Sequence, residues 1–125
     1  KNLKLSSVKF SDVAVSDMLK MSSASLSDVQ ISNLQLAPNA VYALDFSRGS
    51  KILISNSTFG GYAAFEATKL SDAVIRDVVF TDIADFESTQ LTNVHFENVV
   101  FKDLAIFEDA KLTKCSFKDV VFYKP

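Results

Sequence analysis

The chain of 125 residues has little of what usually marks a chemical function. Its one cysteine, Cys115, excludes an internal disulfide and any cysteine-based metal cluster, and leaves the redox compartment open. Its one histidine, His95, leaves no second imidazole for a metal pair, and no nucleophile, histidine and acid can be assembled by spacing. Thirteen Lys and Arg against fifteen Asp and Glu give a net charge of −2. The molecule as a whole therefore has no positive excess to draw it to nucleic acid or to an anionic membrane. No apolar run approaches the roughly 18 residues of a membrane-spanning helix. Glycine is scarce, and the pair Gly60-Gly61 has no phosphate-loop context. No catalytic residue, metal ligand or cofactor is assigned on these grounds. The chain has no signal peptide and does not begin with Met, so Lys1 and Pro125 read as the boundaries of a piece of a longer protein.

What the chain does have is apolar content, at 48% enough for a core in a single domain covering residues 1–125. The large apolar residues between Phe65 and Phe122 follow a strict step. They are Phe65, Leu70, Ile75 and Phe80, then Phe86, Leu91, Phe96 and Phe101, then Phe107, Leu112, Phe117 and Phe122. The step is five residues three times and then six, so the pattern returns after 21. Neither a helix nor a simple strand gives that step, and a period near 20 is the mark of a solenoid. Earlier coils hold Leu5, Phe10 and Val15, then Met21, Leu26, Ile31 and Leu36. The third coil is irregular: an insertion around Ala37 to Asp45 precedes Phe46, Gly49 replaces a large residue, and Ile54 and Phe59 follow. In this register all eleven phenylalanines fall on large-residue columns.

Two residues before each large one stands a smaller residue, as Val94 before Phe96 and Cys115 before Phe117. That spacing puts both on one face of a short extended segment. Each unit is then a short strand with two inward side chains and a corner, and four units close one coil. The small-x-large spacing, as in Ala110-Lys-Leu112 and Cys115-Ser-Phe117, resembles the pentapeptide-repeat family over essentially the whole chain. The resemblance implies an all-β fold, a right-handed parallel β-helix of about six coils with four short strands per coil. Equivalent residues would sit about 4.8 Å apart along the axis. Interior columns would become ladders, with stacked rings in the Phe columns; Phe96, Phe101 and Phe117 are each expected to be buried between two stacked neighbours.

Several outward features are candidates for contact. Asp12, Asn33, Asn56, Asp77, Asn98 and Asp119 lie two residues after the third column, once per coil. Asp and Asn suit corners, so corner-making is the reading, with a ligand row as the other. Glu66, Glu87 and Glu108 form a stacked acidic row. It reads as a solvated face offset by Lys69 and Lys111 rather than as a cation site. Cys115 takes an inward, small-residue slot and reads as a packing thiol. Val79, Val100 and Val121 alternate outward, beside Val74 and Ile106, as strand formers or as a docking stripe. Pro38 to Tyr42 and Arg48 to Lys51 are expected to protrude near one another. The partner-binding candidates are therefore Asn39, Tyr42, Arg48, Lys51, Val79, Val100 and Val121.

Rods of this kind present extended surfaces, so a non-enzymatic scaffold or protein-interaction module is the expected role. The resemblance adds two finer expectations. One is the amino-terminal domain of a secreted bacterial effector, such as a HECT-like ubiquitin ligase. The other is a DNA mimic that binds and protects a type II topoisomerase, which the charge of −2 fits poorly. These place the protein in a bacterial cytoplasm or secreted into a host cell. The carboxy-terminal coil is as regular as any other, with only Tyr123, Lys124 and Pro125 after it. Its open end is expected to be covered by an adjacent domain or by the same end of a second molecule in an end-to-end homodimer.

Overall fold

In the computed structural model, residues 3–124 are described, and every regular element among them is a β-strand. Long and short strands alternate along the chain. The long ones are β1 Lys4–Val15, β3 Ser25–Leu36, β5 Arg48–Phe59, β7 Lys69–Phe80 and β9 Gln90–Phe101, each of twelve residues. The short ones are β2 Met18–Lys20, β4 Val41–Ala43, β6 Ala63–Ala64, β8 Ala84–Asp85 and β10 Ala105–Ile106. In the last coil the long strand is split into β11 Lys111–Thr113 and β12 Ser116–Phe122. All pairing is parallel, between one coil and the next: β1-β3-β5-β7-β9 followed by β11 and β12, and β2-β4-β6-β8-β10. This is a β-solenoid of six coils.

The long strands are not straight. Each bends at two residues with positive φ, five apart: Asp28 and Asn33 in β3, Asp72 and Asp77 in β7, Asn93 and Asn98 in β9. Each long strand thus supplies three sides of a coil, and the short strand supplies the fourth. The whole Asp/Asn ladder, from Asp12 to Asp119, sits at φ between 52° and 58°, which confirms the corner reading. A short polar side chain tolerates that left-handed conformation better than most. The amides also bind down the ladder, Asn33 Nδ2 donating to Asp12 at 2.7 Å and Asn98 Nδ2 to Asp77 at 2.8 Å. The six-residue step turns differently: Asp82 and Asp103 each accept the N–H of the next residue, at 2.7 Å.

The sides are numbered here by their inward columns. The first runs from Met21 to Phe107, the second from Leu5 to Leu112, the third from Phe10 to Phe117 and the fourth from Val15 to Phe122. The core lies inside, with ring ladders in the first and fourth columns. Phe86 stacks on Phe65 at 4.6 Å and on Phe107 at 4.9 Å; Phe101 stacks on Phe80 at 5.0 Å and on Phe122 at 4.9 Å. Phe101 therefore behaves as expected. Phe96 is buried but stacks only on Phe117, because its other column neighbour is Ile75. Phe117, in the last described coil, is exposed. Inward hydroxyls are satisfied by backbone: Ser47 Oγ donates to Met21 O at 2.7 Å and accepts from Ala24 N at 2.9 Å, and Thr68 Oγ1 donates to Leu44 O at 2.9 Å.

The third coil corrects the register. Leu44, not Phe46, fills the first column and is buried, whereas Phe46 sits on the corner at φ 59° and is 62% exposed. The insertion is two residues within Ala37–Ala40: Ser25 pairs with Arg48 twenty-three residues on, while Arg48 pairs with Lys69 twenty-one on. Gly60 and Gly61 lie under that insertion. A Cβ on Gly60 would stand 2.4 Å from the carbonyl oxygens of Leu36 and Ala37, and one on Gly61 would stand 2.2 Å from that of Ala40. The glycine pair is thus the seat for an oversized corner in the preceding coil.

Candidate interaction surfaces

The seven contact candidates occupy four places rather than one. Asn39 is exposed in the inserted corner, at φ 69°. Tyr42 is not available: it is 1% exposed, packs on Phe59 and Phe65, and its hydroxyl meets Met21 Sδ at 3.6 Å. It faces inward because the insertion ends before it and β4 runs in regular register with β6. Burial raises its phenol far above the ordinary value. Arg48 and Lys51 do not protrude with the insertion, for they belong to β5, one side of the coil further on. Arg48 points outward on the second side, and Lys51 takes the following corner at φ 57°.

The valines form a real ridge. Val79 pairs with Val100 and Val100 with Val121 on the outside of the fourth side, while Val78 and Val99 are fully buried. Val79 and Val100 are half-buried and Val121 is exposed. Val74 and Ile106 lie on the two adjacent sides instead, Val74 opposite His95 in the third and Ile106 opposite Asp85 in the first.

The ridge runs into the last described coil, where several large apolar side chains are exposed. Leu112, Phe117, Val121, Phe122 and Tyr123 are between 39% and 64% exposed. The same columns one coil earlier, Leu91, Phe96 and Phe101, are at 0–1%. The difference is one of position, since these residues lie in the last described coil and not in an inner one. Cys115 faces inward as expected but is only half-buried there, its Sγ donating to Leu91 O at 3.3 Å. Pro125 lies outside the described residues.

The acidic row on the first side is longer than the three glutamates, because Asp45 follows Leu44 as Glu66 follows Phe65. Lys69 and Lys111 do not pair with it; among the described residues the one ion pair joins Lys124 to Asp103 at 3.3 Å. Burial first, then the charges of Asp85, Glu108 and Glu66, push the Glu87 carboxyl above its usual range. Asp103 moves the other way, held low chiefly by the N–H of Leu104 and also by Lys124. Buried Asp85 accepts from the Tyr62 hydroxyl at 2.6 Å and from Glu87 N at 2.9 Å. Burial, with that bond and the surrounding carboxylates, raises the Tyr62 phenol far above normal. No group of three or more potential metal ligands occurs among the described residues. His95 points outward, its ring nitrogens engaged by Ser116 and Asn93.

Residues 82–122 match the family model for pentapeptide repeats, in eight copies. That segment covers the fifth and sixth coils, so the eight copies amount to four per coil, as the four-sided geometry requires. The chain is also similar to a solved structure, that of a pentapeptide repeat protein (Rfr23) from the cyanobacterium Cyanothece 51142. The identity is 15%, the match covers 94% of this chain and 89% of that one, and the TM-score is 0.32. No curated protein matches the chain.

Proposed function

We propose that this β-solenoid, whose residues 82–122 match pentapeptide repeats, is a non-enzymatic scaffold that docks to protein through the outer surface of its fourth side. The observation that carries the reading is the outward stack of Val79, Val100 and Val121, beside Val78 and Val99 that already fill the core. Apolar side chains gathered on an outer face mark protein contact sites. The finer reading is the amino-terminal domain of an effector such as a HECT-like ubiquitin ligase. The topoisomerase-binding DNA mimic has less in its favour. Its carboxylate row is confined to one side, and the neighbouring side carries Lys4, Arg48 and Lys69. Light scattering on the chain beside Val79→Lys with Val100→Lys tests the proposal. Self-association that the lysines abolish is expected. A monomer whose solution behaviour the lysines leave unchanged would refute docking on this side.

A further inference from the structure

We infer that the second side of the rod is a binding groove for an extended acidic glycan, a chain of sugars carrying carboxylate or sulfate groups. The strand register stacks its outward residues into two rows. One row reads Lys4, Ser25, Arg48, Lys69, Gln90 and Lys111 from the first coil to the sixth. The other places a hydroxyl in every coil, from Ser6 through Ser50 and Ser71 to Thr92 and beyond. Up to Gln90 and Thr92 they line a groove of about 600 Å³ that spans the first five coils. No carboxylate lines it, although acids outnumber bases in the chain.

The acids on its corner are already engaged by their own ladder: Ser7 Oγ donates to Asp28 at 3.2 Å and Asn93 Nδ2 to Asp72 at 2.8 Å. The groove cations take no part in the one ion pair among the described residues. The hydroxyls that the fold itself uses, such as Ser47, Thr68 and Thr89, point inward. The groove hydroxyls are left to a ligand. The charge segregation is local, which is why a net charge of −2 conceals it.

The shape selects among polyanions. The groove is the face of a sheet whose backbone is bonded to the coils on either side, so a peptide cannot add to it as a strand. Single-stranded nucleic acid is held on a succession of aromatic platforms. Here one exposed ring, Phe46, stands on the bordering corner two residues before Arg48. One ring suits the apolar face of one sugar. Arg48 and Lys69 are about 4.8 Å apart in backbone rise, with Lys4 two coils away at one end of the groove and Lys111 in the coil past its other end. Charges repeated along a line, with hydroxyl and amide groups between, fit a linear acidic glycan better than a single small anion.

The test is calorimetric titration with an oligogalacturonate long enough to span the groove and with a heparin-derived oligosaccharide, which separate carboxylate from sulfate. A neutral maltooligosaccharide, oligothymidylate and polyglutamate serve as comparisons. The expected result is salt-sensitive binding of one or both acidic glycans and none of the neutral one. Arg48→Glu with Lys69→Glu should weaken it about tenfold or more at unchanged melting temperature. Lys9→Glu with Lys118→Glu, the same charge change on the third side, should alter it less than about twofold. Phe46→Ser should weaken binding without loss of stability, and Val79→Lys with Val100→Lys should leave it intact, which separates this groove from docking on the fourth side. Absence of binding to both acidic glycans, equal loss in the two double variants, or tighter binding of oligothymidylate or polyglutamate would overturn the inference.

Discussion

Phe86 is the residue on which the core can be tested most sharply. Its ring lies between Phe65 and Phe107 in its own column and meets Phe80, Phe96 and Phe101 edge-on. It is completely buried. A buried phenylalanine removes about 200 Å² from water, and at about 25 cal/mol per Å² this is an upper bound near 5 kcal/mol. Truncation also leaves a cavity, since stacked coils on both sides cannot collapse freely, so Phe86→Ala should cost about 3–5 kcal/mol. In a domain of this size that lowers the melting temperature by roughly 10–20 °C. Phe122 is the internal control. It is the same residue type on the same kind of ladder, but 47% exposed and stacked on one side only. Phe122→Ala should cost about half as much or less. Urea unfolding followed by circular dichroism measures both. A loss below about 1 kcal/mol for Phe86→Ala, or equal losses at the two positions, would refute the coil assignment.

Gly61→Ala should destabilise by about 1–3 kcal/mol through the clash with Ala40 O, seen as a lower urea midpoint, although Ala replaces Gly in a strand-rich protein. Phe46→Asn should stabilise by roughly 1 kcal/mol, because Asn suits the left-handed corner that an aromatic residue does not, and a rise in the thermal midpoint checks it. Ser47→Ala should cost about 1–3 kcal/mol, since it strands Ala24 N–H in the core; denaturant unfolding measures it, and local amide exchange should rise at Ala24. Glu87→Gln should raise the melting temperature at pH 7 and leave it unchanged at pH 3. A carboxyl pushed up in the folded state favours folding below its unfolded pKa, and that contribution is lost as pH rises through the raised value. Added salt should shrink the difference at pH 7.

The parts of this molecule that were legible in the sequence are those the fold constrains. An inward column tolerates only side chains that fill it, so the five-residue step survives in the letters. A corner must accept positive φ, so Asp77 and Asn98 announce themselves. The register of the third coil was not legible, because two candidates for one column, Leu44 and Phe46, stand two residues apart, and size alone favoured the wrong one. The deciding signal was present in Gly60-Gly61: two adjacent glycines in a repeat that otherwise makes its corners without glycine imply that something large lies against them. That inference needs the stacking of one coil on the next, which a linear reading of one coil does not supply. Tyr42 was misplaced for the same reason, as the insertion was drawn too long.

Outward residues obey a different rule. Any polar residue satisfies an outward position, so Lys4, Arg48 and Lys69 look like ordinary surface lysines and arginine when read along the chain. They are separated by 44 and 21 residues and share no motif. Only the register of β1, β3, β5 and β7 brings them onto one side with a hydroxyl row beside them. In a solenoid the fold therefore occupies the inward half of the alphabet and leaves the outward half free for recognition. The outward half departs from random mixing of charge on two sides. The second side, with no acid in its groove, and the first side, with Asp45, Glu66, Glu87 and Glu108 in one row, are such departures. They meet at a corner that carries Phe46 in the one coil where the repeat is broken. Charge of one sign gathered on each of two adjacent sides, when mixing the signs would have relieved repulsion within both rows, costs stability in the free protein. Within the first row the Glu87 carboxyl is pushed above its usual range by burial first and then by the charges of Asp85, Glu108 and Glu66.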